Sequence, residues 1–299
     1  MVNRVDFKQE LQQYQALING NLANQLRRNQ PYAQRLYDAM EYSLMAGGKR
    51  LRPVLVLAVS RLFNGDDHRC MPYALAIELV HNFSLIHDDL PGIDNDDFRH
   101  GQPTNHKQFD EATAVLAGDA LLNQAYIVIA DDLLHSKQIN QSAKLSVLKE
   151  FSVAIDQMIA GEYVDTLDEA KTIDIVELEF IHRNKTGALL RLCARMGAML
   201  ARASDEDLVR VTIYAEKIGL AFQVKDDILS VEGDSAVTGK PVGNDEAMEK
   251  CTYVSEYGLA KAKEILADLV CEAKAQLVDY GDKANFLLAL ADYVQARNK

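Results

Sequence analysis

Residues 85–97 read LIHDDLPGIDNDD, and this run places five aspartates directly after an apolar segment with helical spacing. Like charges repel one another, and a buried carboxylate is costly unless it is paired or bound to a metal ion. A solvated acidic loop is one interpretation of the run. The other is that the carboxylates bind a strongly positive group, and the surrounding sequence has to distinguish the two.

The sequence around this run is helical in period almost throughout. Apolar residues recur at three- and four-residue spacings in segments 5–28, 33–46, 51–63, 71–90, 111–134, 141–165, 173–202, 205–232, 252–280 and 283–297. No strand alternation or Asn-Gly hairpin is evident, and the six prolines fall near segment ends or in loops. We therefore predict an all-α fold of about ten helices, in one domain over residues 1–299, with its site between facing helices.

Composition limits the function classes. Of the 299 residues, 48% are apolar and 25% are charged, which is typical of a soluble globular protein. The net charge of −12 disfavours a general nucleic-acid or anionic-membrane surface. The four cysteines form no CxxC pair, so reduced thiols in a cytoplasm are the simplest interpretation. We also expect no signal peptide and no membrane span, because no run approaches about 18 apolar residues.

A second acidic cluster matches the first. His81, Ser84 and Asp88 share one helix face at i, i+3 and i+7. Residues 222–234, FQVKDDILSVEGD, form a comparable polar stripe of Gln223, Asp226, Asp227, Ser230 and Asp234. Two carboxylate faces on two helices can hold hard cations between them, and oxygen-rich sites suit Mg²⁺ that also binds substrate phosphates. Together the clusters favour a metal–diphosphate site over a solvated loop.

Basic residues lie close to both clusters in sequence. They are Lys49, Arg50 and Arg52 in AGGKRLRPVL (46–55), Arg99, Lys185 in HRNKTGALL (182–190), Lys240 and Lys250. The first three also fit a helix start with solvated basic side chains. Phosphates held among aspartates need such cations nearby, so the pattern supports diphosphate binding.

These motifs resemble the trans-type polyprenyl diphosphate synthases, most closely the bacterial farnesyl diphosphate synthases. The resemblance covers nearly the whole chain, in order, through GGKRLRP, SLIHDDLPGIDNDD, GQPTNH, KTGALL, FQVKDDIL, TGKPVGND and YGLAKAK. It implies an isoprenoid-synthase bundle, usually homodimeric, in which both aspartate motifs face a central cavity. It also implies about three Mg²⁺ ions between those aspartates and the diphosphate of an allylic substrate.

The resemblance assigns residues by position. The metal ligands are Asp88, Asp94 and Asp226, with Asp89, Asp227 and Ser230 as supporting candidates. The allylic diphosphate contacts Arg99, Lys185, Thr186, Gln223, Lys240 and Lys250. Isopentenyl diphosphate contacts Lys49, Arg52, His81 and His100.

The implied reaction is a prenyl transfer. Metals and lysines stabilise the leaving diphosphate, the allylic C–O bond ionises, the isopentenyl double bond attacks the cation, and a proton is lost. Phe83 and Ser84 lie about one helical turn before Asp88, where the growing tail would lie. The aromatic residue and the Pro91-Gly92 insertion favour a farnesyl product over a longer one. The alternative is that Phe83 only packs in the core.

Three positions depart from the family pattern. His100 stands where the family has a second arginine, and an imidazole lacks the guanidinium fork and is mostly neutral at pH 7. We therefore expect isopentenyl diphosphate to bind better below about pH 6.5. Ser230 replaces a third aspartate of the second motif. Glu162 replaces a glutamine and adds negative charge near the cavity.

Two other functions remain open at this stage. Asp226, Ser230 and Asp234 resemble the metal triad of class I terpene cyclases, although the chain has no tryptophan to cradle a cyclising cation. A non-catalytic or regulatory subunit of a heteromeric prenyl synthase is the non-enzyme alternative, and the intact aspartates and lysines argue against it. We rank the synthase first, then the partner subunit, then the cyclase.

Overall fold

The structure is a computed structural model that describes residues 4–26, 31–136, 139–168, 174–232 and 251–298. Its α-helices are α1 (Arg4–Leu22), α2 (Gln34–Met45), α3 (Leu51–Leu62), α4 (Asp67–Asp88), α5 (Asn105–Gln108), α6 (Glu111–His135), α7 (Gln141–Asp168), α8 (Ile175–Ile181), α9 (Ala188–Leu200), α10 (Asp205–Glu232), α11 (Tyr253–Tyr257), α12 (Leu259–Ala275) and α13 (Asn285–Ala296). A π-helical segment, His182–Gly187, joins α8 to α9, and 3-10 turns cover Pro31–Ala33 and Val278–Ala284. The all-α prediction is confirmed.

The core lies where α3 and α4 pack against each other, with α6 against α4 and α9 against α3. α3 is buried without a break from Pro53 to Ser60, as expected for a helix that is apolar on every side. The close contact of α4 with α6 depends on Gly118, because a Cβ there would collide with the His87 ring. This packing fixes the C-terminal end of α4, where the first acidic cluster begins.

Several helix boundaries differ from the prediction: α1 ends at Leu22 rather than residue 28, and the predicted segment 173–202 is divided into α8, the π-helical segment and α9. Two further differences have a clear local cause. α4 begins at Asp67 rather than residue 71, because the Asp66 carboxylate accepts the His68 N–H and caps the helix. Pro72 therefore lies inside α4 rather than near its start. The predicted helix 252–280 is divided at Gly258, whose φ of 77° ends α11 and is disfavoured for any residue with a side chain.

A small hairpin was missed. Strands β1 (Phe98–Arg99) and β2 (Gln102–Pro103) pair antiparallel, with Phe98 opposite Pro103. The turn between them has positive φ at both central residues, 53° at His100 and 78° at Gly101, as a tight hairpin turn requires. Histidine adopts this conformation less readily than asparagine or glycine, so the sequence RHGQ gave no hairpin signal. The hairpin places Arg99 and His100 beside the first acidic cluster.

α6 departs from the expectation that no segment approaches the apolar length of a membrane span. In the part of the chain that the structure describes, it is the one helix long and apolar enough by composition to cross a membrane. A core helix of a globular protein has the same length and composition, and α6 is buried along part of its length. α6 packs against α2 and α4 in this structure.

Candidate active site

The first acidic cluster forms where α4 ends. The loop after α4 turns back on it, and the Asp94 N–H donates to the Asp88 carbonyl oxygen over 2.9 Å. Burial raises the pKa of the Asp88 carboxyl to about 7, and the negative charges of Glu162 and Asp94 add to this shift. Without a bound cation, Asp88 is therefore partly protonated at neutral pH. A divalent cation at this position would stabilise the ionised carboxylate.

Asp89 and Arg99 form an ion pair at the end of α4. Asp89 is 3% exposed, and its Oδ1 accepts a hydrogen bond from Arg99 Nε at 2.7 Å and forms an ion pair with Arg99 Nη2 at 2.5 Å. Burial raises the pKa of Asp89, and the guanidinium opposes that rise. The contact anchors β1 to the end of α4, and the supporting metal role of Asp89 stays a prediction. The proposed contact of Arg99 with the allylic diphosphate stays a prediction.

Arg52 and His81 form the centre of the predicted isopentenyl site. Arg52 Nη1 donates to His81 Nε2 over 3.1 Å, since a guanidinium has no acceptor. Burial and the charge of Arg52 hold the pKa of His81 well below its ordinary value, so this imidazole is neutral. Arg52 Nε is buried and has no hydrogen-bond partner within the described ranges. A diphosphate oxygen would satisfy that donor.

His100 lies close to this pair. A Cβ on Gly48 would be 3.6 Å from His100 Nε2, so the ring lies against the turn that carries Lys49. Burial, with the charges of Arg99 and Arg50, lowers the pKa of His100 below its ordinary value. The imidazole gains its proton only at a pH lower than 6.5, and the expected improvement in isopentenyl binding shifts downward with it.

Arg50 is a structural residue, and its interpretation as solvated was wrong. Its side chain is 3% exposed and forms a 2.6 Å ion pair with Glu78, which is equally buried. It also donates to the Leu44 carbonyl oxygen at 2.6 Å and to Asn19 Oδ1 at 3.0 Å. Arg50 itself has a φ of 54°. These contacts hold the loop between α2 and α3 on which Lys49 and Arg52 depend.

Lys185 lies in the π-helical segment and faces α7. Its Nζ is 2.8 Å from Glu162 Oε2 and 2.5 Å from Asp165 Oδ2. Burial lowers the pKa of Lys185, but the two carboxylates outweigh burial, so the ammonium stays charged. Thr186 follows Lys185 in the same segment, and its contact with the allylic diphosphate stays a prediction. π-helical turns are frequent at functional sites.

The second cluster follows one face of α10. Gly219 packs on Gly187 at the end of the π-helical segment, and Gln223, Asp226 and Ser230 share its face at i+4, i+7 and i+11. That spacing places Asp226 about 10 Å further along the helix than Gly219. The two clusters are thus connected through the segment that carries Lys185.

Asp227 is engaged with the backbone of α11. Its Oδ2 accepts the Tyr253 N–H over 2.8 Å, and Ser230 Oγ donates to the Asp227 carbonyl oxygen over 2.8 Å. Asp227 therefore anchors the start of α11 in this structure. The metal roles of Asp227 and Ser230 stay predictions. Lys240, Lys250 and Asp234 lie outside the described residues.

Sequence reasoning missed Arg297. This residue follows α13, and its Nη2 donates to Asp226 Oδ1 at 2.6 Å and to the Phe222 carbonyl oxygen at 2.9 Å. The guanidinium carbon also lies 3.8 Å from the centre of the Phe222 ring. The contact with Asp226 spans 71 positions of sequence, so no local pattern could have predicted it. Asp165 was not predicted either, although a second carboxylate one helical turn after Glu162 could have indicated a paired site.

Phe83 and His87 pack together near the first cluster. Their rings meet edge to face at 4.9 Å, and Phe83 is 7% exposed. His87 Nε2 lies 3.0 Å from the Val115 carbonyl oxygen of α6, which gives His87 a packing role. Ser84 is half-buried, and its hydroxyl donates to the His81 carbonyl oxygen over 3.0 Å. The chain-length roles of Phe83 and Ser84 stay predictions.

The residues of the two clusters fit a hard divalent cation. Their donors are carboxylate oxygens, and one buried oxygen beside them, Glu162 Oε1, has no hydrogen-bond partner among the described residues. In the described part of the chain, no three acidic, histidine or cysteine side chains converge on one point. Water and substrate phosphate oxygens would have to complete the coordination, as is usual for Mg²⁺.

Comparison with known proteins identifies the family to which the chain belongs. The family model described as polyprenyl synthetase matches residues 33–282. The chain belongs to the polyprenyl synthetase family. It is 42% identical over 285 residues to the farnesyl diphosphate synthase of Micrococcus luteus, with 95% of each chain covered. It is 43% identical over 287 residues to the heterodimeric geranylgeranyl pyrophosphate synthase large subunit 1 of Arabidopsis thaliana, covering 94% of this chain and 76% of that one.

A solved structure agrees with the family match. The FPP/GFPP synthase from Zymomonas mobilis superposes with a TM-score of 0.88 at 36% identity, over 98% of this polyprenyl synthetase and 100% of that chain. The predicted resemblance, the isoprenoid-synthase fold and the assignment to the trans-prenyltransferase enzymes are confirmed.

Proposed function

We propose that this polyprenyl synthetase condenses isopentenyl diphosphate with dimethylallyl and geranyl diphosphate to give farnesyl diphosphate. One observation carries the proposal. The half-buried Asp88 carboxyl, whose ionised form a cation would stabilise, lies within electrostatic reach of the Lys185 ammonium, while the Arg52 guanidinium, hydrogen-bonded to the neutral His81, is a separate cationic group. Relatives named farnesyl diphosphate synthase support the product. We further propose that residues 1–299 act as one polyprenyl synthase domain.

The residues divide the reaction between two sites. Mg²⁺ ions held by Asp88, Asp94 and Asp226 would neutralise the allylic diphosphate and help it leave. Lys185 would donate hydrogen bonds to the same diphosphate as the allylic C–O bond breaks and its electron pair stays on oxygen. Arg52 would hold isopentenyl diphosphate, with the neutral His81 fixing the guanidinium.

Carbon–carbon bond formation needs no nucleophilic side chain. The isopentenyl double bond supplies the electron pair, and the proton lost afterwards passes to the departed diphosphate. The chain's part is to orient the two substrates and to exclude water from the cation.

Exposed apolar side chains on α6 and α7 support a homodimer. They are Val115, Leu116, Leu134, Leu145, Val153, Ile159, Tyr163 and Leu167. Exposed apolar patches of this kind mark interfaces. We propose that two copies of the chain cover these helices in a cytoplasmic enzyme, which would also account for the apolar composition of α6.

Product analysis tests the proposed function. The protein is incubated with isopentenyl diphosphate and each allylic diphosphate, with Mg²⁺ or with EDTA. We expect farnesyl diphosphate only when Mg²⁺ is present. A cyclic hydrocarbon would indicate a cyclase instead, and no product from any pair would indicate a subunit that needs a partner.

His100→Arg should tighten isopentenyl binding selectively. A guanidinium adds a charge-assisted contact that the neutral imidazole lacks, so we expect the KM for isopentenyl diphosphate to fall about tenfold. The KM for geranyl diphosphate should stay unchanged. Steady-state kinetics with one substrate varied at a time measures both constants. His135→Arg, at the C-terminal end of α6, is the control. A change in KM that is confined to geranyl diphosphate would place His100 outside the isopentenyl site.

Phe83→Ala should lengthen the product. Removing a buried ring one turn below Asp88 opens space where the tail would grow, so geranylgeranyl diphosphate should appear beside farnesyl diphosphate. Chromatography of the dephosphorylated products measures the ratio. Phe286→Ala removes a buried ring from α13 and controls for lost packing. An unchanged product ratio would mean that Phe83 is only a core residue.

A further inference from the structure

Lys185, Glu162 and Asp165 form a compact charged group, called here the Lys185 cluster. Glu162 and Asp165 are one turn apart on α7, and both carboxylates contact the same Nζ, at 2.8 and 2.5 Å. The three side chains are 17–28% exposed, so solvent screens their charges only in part. One positive and two negative charges give the cluster a net charge of −1.

The backbone keeps this cluster in place. Gly161, directly before Glu162, packs on the backbone of Asn184 and Lys185, where a Cβ would collide. The π-helical segment and α7 therefore approach at one fixed point, and the Lys185 backbone is held close to the two carboxylates. A ligand that binds Lys185 has to approach it in the presence of both.

Glu162 is the carboxylate that links the Lys185 cluster to the first acidic cluster. Its Oε2 contacts Lys185, while its Oε1 is buried and has no hydrogen-bond partner in the ranges that the structure describes. Its charge also acts on Asp88, and it interacts electrostatically with Asp94. Glu162 thus interacts with both the lysine and the first acidic cluster, where the allylic diphosphate is proposed to bind.

This arrangement bears on which form of diphosphate can bind. A free diphosphate carries several negative charges and meets a cluster of net charge −1, so repulsion opposes binding. A diphosphate already bound to Mg²⁺ carries less negative charge, and its metal ions are attracted by the same carboxylates. Resting on the proposed function, we propose that Glu162 makes the allylic site select metal-bound diphosphate over free diphosphate.

Calorimetry with inorganic pyrophosphate tests this selection without turnover. Affinity is measured for the full-length protein in Mg²⁺ and in EDTA, and the ratio of the two constants is the selectivity. In Glu162→Gln, binding of free pyrophosphate should strengthen and the ratio should fall about tenfold, since one unit charge is removed close to the ligand. Asp165→Asn removes a charge from the same lysine and should change the ratio in the same direction.

Glu150→Gln is the matched control. Glu150 also lies on α7 and also forms an ion pair, with Arg195 at 2.6 Å, but it is twelve residues before Glu162. Glu150→Gln removes one negative charge, as each cluster variant does. Its ratio of pyrophosphate affinity in Mg²⁺ to that in EDTA should match the ratio of the wild type. An unchanged ratio in Glu162→Gln, or an equal fall in Glu150→Gln, would overturn the proposal. Absence of product from the wild-type protein would overturn the proposed function instead.

Discussion

Replacing Asp88 by Asn is expected to reduce kcat for prenyl transfer by about a thousandfold or more. The substitution keeps the size of the side chain but removes the charge that would hold a metal ion against the leaving diphosphate. Steady-state assays at saturating isopentenyl and geranyl diphosphate measure kcat. The structure supports a large effect because the half-buried Asp88 carboxyl at the end of α4 has a pKa raised to about 7 by partial burial and by the charges of Glu162 and Asp94, so a bound cation would stabilise its ionised form.

Asp97→Asn is the matched control for this substitution. Asp97 belongs to the same acidic run, but it is exposed and pairs with Lys107 at 2.8 Å on the surface. We expect its kcat to stay within about twofold of the wild type, as is usual for exposed pairs. A loss below tenfold in Asp88→Asn would contradict the assignment of Asp88 as a metal ligand.

Replacing Glu78 by Ala is expected to lower the free energy of unfolding by about 3–5 kcal/mol, the usual cost of breaking a buried ion pair. The change leaves the Arg50 guanidinium buried with only neutral acceptors, the Leu44 carbonyl and the Asn19 amide. Urea denaturation of the purified protein measures the difference. The KM for isopentenyl diphosphate should also rise, because Arg50 holds the loop that carries Lys49 and leads into the first turn of α3, where Arg52 lies.

Lys263→Ala provides the comparison for an exposed pair. Lys263 Nζ lies 2.6 Å from Glu232 Oε1, and both side chains are more than 40% exposed. Its loss should cost less than about 1 kcal/mol. If Glu78→Ala is no more destabilising than Lys263→Ala, the buried pair does not hold the loop between α2 and α3.

The sequence predicted the helices because their signal is local. α10 begins and ends where its apolar period indicates, at Asp205 and Glu232. The hairpin after Asp97 was not predictable in the same way, because its turn depends on a positive φ at His100. α4 and α11 differ from the prediction through single capping or breaking residues, which shift a boundary without changing the periodicity.

The candidate site was predictable in part, for a similar reason. Asp88, Asp94 and Lys185 belong to motifs that are continuous in sequence. The contacts that define their surroundings are not local: Arg297 reaches Asp226 across 71 positions, and Arg50 reaches Glu78 across 28. Arg50 and Arg52 are only two positions apart, yet their surroundings give them different roles. The Arg50 side chain is buried and paired with Glu78, whereas Arg52 Nε has no hydrogen-bond partner among the described residues and can donate to a ligand.

The most direct test is a crystal structure of the protein with Mn²⁺ and an unreactive allylic thiolodiphosphate. Anomalous scattering locates the metal ions independently of the protein. We predict Mn²⁺ between the diphosphate and Asp88 and Asp94, a further ion at Asp226 in place of the Arg297 contact, and Lys185 within hydrogen-bond distance of the diphosphate. A diphosphate bound without metal at either aspartate cluster, or bound away from Lys185, would contradict the account.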